Sequence, residues 1–235
     1  VKIAQNAAHY AVQKPDEVTD MVNFKEPEVS GTDLKAPVYI DFGPTSLSAT
    51  PWNNITSHQE SSTSSWIKDA ENNYTNIGVR VLGGFTATHA GVGSEPASPV
   101  TVDDVEFPLT AWKDGLLVGG EKNKGDVGPG RIEISQLDAS RKYNFTILAI
   151  RFNGSKDARI SSYKLVAKTE SEVKEVKTGI KDVAAFNAAN FEEYIAKFEN
   201  VEPDSEGKVI VEVKGIDTGL AAEGHINALC ISPVK

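Results

Sequence analysis

The side chains best suited to hold an oxygen-rich ligand are Asp114, Arg151 and Arg159. A guanidinium presents five N–H donors in a planar fork that matches a carboxylate or a pair of sugar hydroxyls. Arg151 ends an apolar strand pattern and Arg159 begins the next one across a seven-residue connection, so the two arginines would form such a fork if the fold brought them together. The reading that asks least is an Asp–Arg network tethering loops at the rim of the fold, because ion pairs are more often structural than functional. A second set is aromatic. Trp52, beside Asn53 and Asn54, and Trp112, beside Lys113 and Asp114, stand in polar loop contexts. An exposed indole there could cover the C–H face of a pyranose. Trp66 falls inside a strand pattern and reads as core. A third set, Asp69, Glu71 and Asn73, alternates oxygen-bearing side chains and is a weak candidate for a metal. Tyr74 stands where an EF-hand loop needs glycine, so a turn is the better reading.

No catalytic residue is assigned. The chain has no G-x-S-x-G, H-E-x-x-H, P-loop or G-x-G-x-x-G, and His9, His58, His89 and His225 lie in unrelated contexts. Among 33 acidic residues some pair always looks like a glycosidase dyad, so sequence spacing supports none. No cofactor is called for. A net charge of -9 without a basic cluster argues against nucleic acid as a partner. No apolar run reaches the length of a membrane span, and the first residues, VKIAQNAAHY, lack the pattern of a signal sequence, so the chain is expected not to insert into a membrane. Cys230, the single cysteine, sits in an apolar run and reads as a buried hydrophobe.

The elements that must position these residues are strands. Pro37 to Gly43, Ile77 to Leu82, Arg131 to Ser135, Tyr143 to Arg151, Arg159 to Val166, two strands around Pro203-Asp-Ser-Glu-Gly207, and Ile226 to Ile231 are rich in β-branched and aromatic residues and bounded by Gly, Pro and Asn. Tyr143 to Arg151 and Arg159 to Val166 flank Asn153-Gly154-Ser155 and are expected to pair as a central hairpin. Asp182 to Phe198 reads both as a helix face and as a strand, and its second half is assigned to strand. Residues 83 to 108 read as a long loop and residues 1 to 36 as an N-terminal extension or linker, leaving 37 to 235 as one domain. With no βα alternation, the expected fold is all-β, a two-sheet antiparallel sandwich of jelly-roll type.

Several motifs in order carry a resemblance: Val38-Tyr-Ile-Asp-Phe-Gly43, Trp52-Asn-Asn-Ile-Thr56, Phe107-Pro108 with Ala111 and Asp114, Leu137-Asp138 with Tyr143-Asn-Phe-Thr146, Arg151, Arg159 to Tyr163, Asn200-Val-Glu-Pro-Asp204 with Gly207, and His225-Ile-Asn-Ala-Leu229. Together they resemble secreted Bacteroidetes β-sandwich domains akin to the galactose-binding-like jelly rolls that accompany carbohydrate-active enzymes. Ile150-Arg151 and Ala158-Arg159 depart from the Ser-Arg and Asn-Arg of that group. The resemblance implies an exported domain at or beyond the cell surface, a glycan or a surface protein as partner, and, as in many such domains, a structural calcium. The leading expectation is therefore a non-catalytic carbohydrate-binding sandwich. Its rivals are an assembly module of a bacterial surface complex and a polysaccharide hydrolase or lyase without a recognisable motif.

Overall fold

The structure is a computed structural model and describes residues 34–64, 67–89, 99–119, 128–152, 159–180, 188–216 and 222–235. The proposed N-terminal extension, except for its last three residues, and Trp66 lie outside these. In chain order the strands are β1 (Val38–Phe42), β2 (Trp52–Ile55), β3 (Thr63–Ser64), β4 (Gly78–Gly83), β5 (Ala87–His89), β6 (Val100–Val102) and β7 (Val105–Phe107). A short helix α1 (Thr110–Lys113) precedes β8 (Gly115–Gly119), β9 (Gly130–Ser135), β10 (Tyr143–Leu148), β11 (Arg151–Phe152), β12 (Ile160–Val166), β13 (Lys174–Lys177) and β14 (Gly179–Ile180). A 3-10 turn (Ala188–Tyr194) leads into β15 (Ile195–Val201), β16 (Val209–Ile216), β17 (Glu223–Ile226) and β18 (Ala228–Pro233).

Two sheets form the expected sandwich, ordered β15-β10-β18-β1-β2 and β13-β12-β16-β9-β4-β3. Their facing side chains make one core, with Ile40, Phe42, Phe145, Ile147, Leu229 and Ile231 from the first sheet and Val79, Val81, Ile132, Ile134, Leu165 and Val211 from the second. Leu34 is buried in the same core. Along β9 buried and accessible positions alternate, as they do in a strand with one face in solvent. Strand β18 instead begins with four consecutive buried residues, Ala228 to Ile231. The first sheet is covered on its outer face too, by a second apolar cluster of Trp52, Val100, Val102, Phe107, Trp112, Leu148, Ile150, Phe191, Tyr194 and Cys230. The cover comes from the β6–β7 hairpin, α1 and the 3-10 turn, so residues 83 to 108 hold ordered strands as well as loop.

The expected central hairpin does not form. Strand β10 pairs with β15 and β18, whereas β12 pairs with β13 and β16 in the other sheet. Past Leu148 the chain leaves the first sheet. Ala149 N–H donates to Tyr194 O and Ile150 N–H to the Asn227 side chain, which end the ladder before the turn signal is reached. Of the ambiguous segment, residues 182–187 lie outside the described residues, Ala188–Tyr194 is a 3-10 turn, and the strand assigned to its second half begins at Ile195. Pairing is antiparallel except for β1 with β2 and β11 with β14. Because β2 runs parallel to β1, residues 43–51 must return along the sheet, and much of the polar chemistry near β1 fastens that return.

Candidate functional site

Arg151 and Arg159 do converge, but on Glu223 and not on Asp114. Arg159 Nε lies 3.1 Å and Arg151 Nη1 3.7 Å from the same Glu223 Oε2, and His225 Nε2 lies 3.4 Å from it. The backbone explains the convergence. Arg151 N–H donates to Thr178 O at 2.7 Å, and Thr178 N–H donates to Arg159 O at 2.9 Å, so one residue between β13 and β14 fixes both arginines side by side. Glu223 and His225 are two apart on β17 and reach the cluster together. His225 N–H donates to Ser161 Oγ at 2.9 Å and its carbonyl accepts the Tyr163 hydroxyl, which ties β17 to β12.

Strands β17, β8 and β5 form a separate three-stranded sheet that carries His225 and His89. The two rings meet edge to face with centroids 5.0 Å apart. His89 is paired across the ladder with Gly115, where a Cβ would stand 2.9 Å from His89 Nε2, so only glycine leaves room for the imidazole there. The charged groups differ in access: the Arg151 side chain is 26% exposed and that of Arg159 11%, whereas His225 is fully buried.

Burial pushes the His225 imidazole down to about 4, against the raising effect of Glu223 beside it, so the ring is neutral at pH 7. Burial alone would raise Glu223, but the His225 ring and the two guanidinium charges outweigh it and hold the carboxyl below its usual range. The cluster thus brings two permanent cations to one carboxylate. Among the described residues Arg151 meets only Glu223 through its side chain, and its buried Nη1 has no hydrogen-bond partner. The Thr178 hydroxyl, also buried, is likewise without one.

Asp114 serves the neighbouring cluster. Its Oδ2 accepts Thr45 N–H at 2.6 Å, the Thr45 hydroxyl at 2.8 Å and Ser46 N–H at 3.1 Å, fastening the return loop. Gly43, at φ +142°, makes this possible, since a Cβ there would lie 2.3 Å from Asp114 Cγ. Asp41 accepts Ser48 N–H at 3.0 Å, and burial, assisted by the charge of Asp114, pushes its carboxyl up to about 7 against the bonds from Ser48. Asn227, buried and joined to both clusters, donates to Trp112 O and Asp114 O and accepts Ile150 N–H, one residue before Arg151.

The aromatic platform is not assembled. Trp112 is fully buried against Phe191, and Trp52 is buried between Tyr39, stacked at 5.2 Å, and Phe107. Both indoles belong to the cluster that covers the outer face of the first sheet, so neither offers a face to a sugar. Asn53 and Asn54 are occupied as well. Asn53 donates to Tyr39 O and Lys68 O and accepts Lys68 N–H, while Asn54 brackets Ser48 by accepting its N–H and donating to its carbonyl. Asp69 Oδ1 accepts Glu71 N–H and Asn73 N–H, closing the turn read from the sequence, and among the described residues no group of three His, Cys, Asp or Glu side chains is placed to hold a metal ion.

Glu223 and Thr178 carry no signal of their own in the sequence, and His89 and His225 read there as histidines in unrelated contexts. The period-two pair Glu223-x-His225 was the available signal, but it is one acidic residue among 33 and its arginine partners are more than 60 positions away.

No known family profile matches the chain, and no curated protein matches it. Among solved structures, the carbohydrate-binding module TmCBM61 in complex with β-1,4-galactotriose superposes on it with 11% sequence identity and a TM-score of 0.32, covering 68% of this chain and 90% of that one. A likeness of that degree decides nothing about this chain. Among the described residues no helix is long and apolar enough to cross a membrane.

Proposed function

We propose that this chain is a non-catalytic carbohydrate-binding β-sandwich, exported to or beyond the cell surface, that holds its ligand at the Arg151/Arg159/Glu223 cluster. The observation that carries this reading is the convergence of two arginines on one carboxylate at a partly exposed place. The backbones of Arg151 and Arg159 are fixed side by side by Thr178, their guanidinium groups meet at Glu223 Oε2, and the Arg151 side chain is 26% exposed. Sugar hydroxyls are acceptors as well as donors, and a rigid Arg–Glu pair recognises them with both kinds of bond. The resemblance of the motif order to exported sandwiches that accompany carbohydrate-active enzymes supports the class of ligand and the location.

The same geometry speaks against hydrolysis at this place. Glycoside cleavage needs a carboxylic acid that can give up a proton beside a second carboxylate. Glu223 is held ionised by its arginines, and the other close acidic pair, Asp41 and Asp114, is enclosed, at 1% and 0% exposure. Affinity electrophoresis of the purified protein through a panel of neutral and acidic polysaccharides tests the reading. Retardation by at least one polymer, abolished by Arg151→Ala, is expected. Free migration through the whole panel, or retardation that Arg151→Ala leaves unchanged, would overturn it.

A further inference from the structure

We infer that the return loop, residues 43–51, is a strap worked by a single proton: it lies closed over the Asp41 and Asp114 carboxylates while Asp41 is protonated, and it opens when that proton is lost. The first observation is how the loop is held. Thr45 N–H, the Thr45 hydroxyl and Ser46 N–H donate to Asp114 Oδ2, and Ser48 N–H donates to Asp41 Oδ2, so two carboxylates grip one short span. The other fastenings are neutral. Asn54 brackets Ser48, the Ser48 and Thr110 hydroxyls meet at 2.7 Å, and the two ends are held by Gly43 N–H to Ile55 O and Trp52 N–H to Ala49 O. Leu47, between the gripped segments, is 56% exposed, so lifting the span removes little apolar contact.

The second observation is burial without a counter-charge. Both carboxylates are enclosed, and the Oδ1 atom of each is buried with no hydrogen-bond partner. The titratable and charged groups on the surrounding elements are Lys113 on α1, Tyr39 on β1 itself, Cys230 on β18, and His89 and His225 on the sheet that begins beside Asp114. Among the described residues no ion pair reaches either carboxylate. A second ionised group beside the first is therefore costly as long as the loop stays closed. The third observation agrees with this: burial, and after it the charge of Asp114, pushes the Asp41 carboxyl up to about 7 against the bonds from Ser48. In the open loop Asp41 returns to its ordinary value of 3.8, so the closed form binds the proton more tightly. Opening is thus most suppressed below 3.8, becomes easier by up to about tenfold per pH unit as pH rises toward 7, and levels off above it.

The test is amide hydrogen exchange of the full chain, followed by NMR from about pH 5 to about pH 8 in the presence of a chelator and corrected for the intrinsic pH dependence of exchange. The amides of Thr45, Ser46 and Ser48 should exchange faster than those of Ile132 and Ile134 on β9 at every pH. Their protection should fall at least about tenfold between about pH 5 and about pH 7 and change little above that. Asp41→Asn, which keeps the shape of the side chain and cannot ionise, should make the protection of the three amides flat across the range. Should that variant fail to fold, the side-chain carboxyl carbon of Asp41 in the native protein carries the test, because its shift should titrate at the pH where the protection levels off. Loop amides that exchange no faster than those of β9 would overturn the inference, since the loop would then open only with the whole fold. Protection independent of pH, or a pH dependence that Asp41→Asn leaves unchanged, would overturn the role of Asp41. Recovery of the lost protection at about pH 8 on adding millimolar calcium would assign the enclosed pair to a metal ion and overturn the proton.

Discussion

Around Asp41 and Asp114 two buried carboxylates meet the backbone N–H groups of a loop; around Arg151 and Arg159 two guanidinium groups meet one carboxylate oxygen. The first cluster is enclosed. Its carboxylates take the backbone N–H groups of Thr45, Ser46 and Ser48, and the Oδ1 atoms of Asp41 and Asp114 remain without hydrogen-bond partners. Burial, assisted by the charge of Asp114, pushes the Asp41 carboxyl up to about 7. The second cluster is partly exposed through Arg151, and its guanidinium groups stay charged. The two clusters therefore differ in use: the closed one fastens the return loop of the fold, and the partly open one is where we propose that a ligand docks.

The largest effect that tests this contrast is expected at Gly43. Gly43→Ala places a methyl group on the Asp114 carboxylate in a conformation that L-residues avoid, and should lower unfolding stability by about 3 kcal/mol in urea denaturation. Binding by the fraction that remains folded should be unchanged. Loss of binding without loss of stability would erase the division between the clusters.

Next in size are the pH profiles. Asp41 has a raised folded-state pKa, so its contribution is fully present below its ordinary value of 3.8 and is lost as pH rises toward 7. His225 has a lowered one, so its contribution is present above 6.5 and is lost as pH falls toward 4. The two oppose each other between about pH 4 and 6.5, and each is worth on the order of a few kcal/mol at most. Thermal melts should show that Asp41→Asn steepens the loss of stability on acidification, whereas His225→Gln makes stability fall as pH rises. Parallel profiles for both variants and the parent would refute the assigned shifts.

A smaller and purely structural effect is expected at the indoles. Trp52→Phe should cost about 1–2 kcal/mol through lost packing on Tyr39 and leave glycan binding intact. Reduced binding at unchanged stability would return Trp52 to the site.

The strands were legible because β-branched and aromatic runs between turn residues report directly on a half-buried surface; β4, β9, β12 and β16 lie where the pattern put them. Which strand pairs with which was not. The turn signal at Asn153-Gly154 is local, whereas the separation of β10 from β12 into different sheets is set by Tyr194 and Asn227, far along the chain. The same limit governs the site. Arg151 and Arg159 were found because they frame one connection, but their partner, Glu223, is brought in only by the crossing of β17 over β12. Trp112 was misjudged for a related reason. A four-residue helix in a polar stretch looks like an exposed loop until the β6–β7 hairpin and the 3-10 turn are seen to bury it.

Titration of the isotopically labelled protein with an oligosaccharide cut from a polymer that retards it in affinity electrophoresis, followed by NMR, addresses the central claim most directly. The account predicts saturable shifts at the amides of Arg151, Arg159 and Glu223 and at the His225 imidazole, with the amides of Asp41 and Trp52 unmoved. Shifts that centre on Trp52, Asn53 and Asn54, or a spectrum unchanged at saturating oligosaccharide, would contradict it.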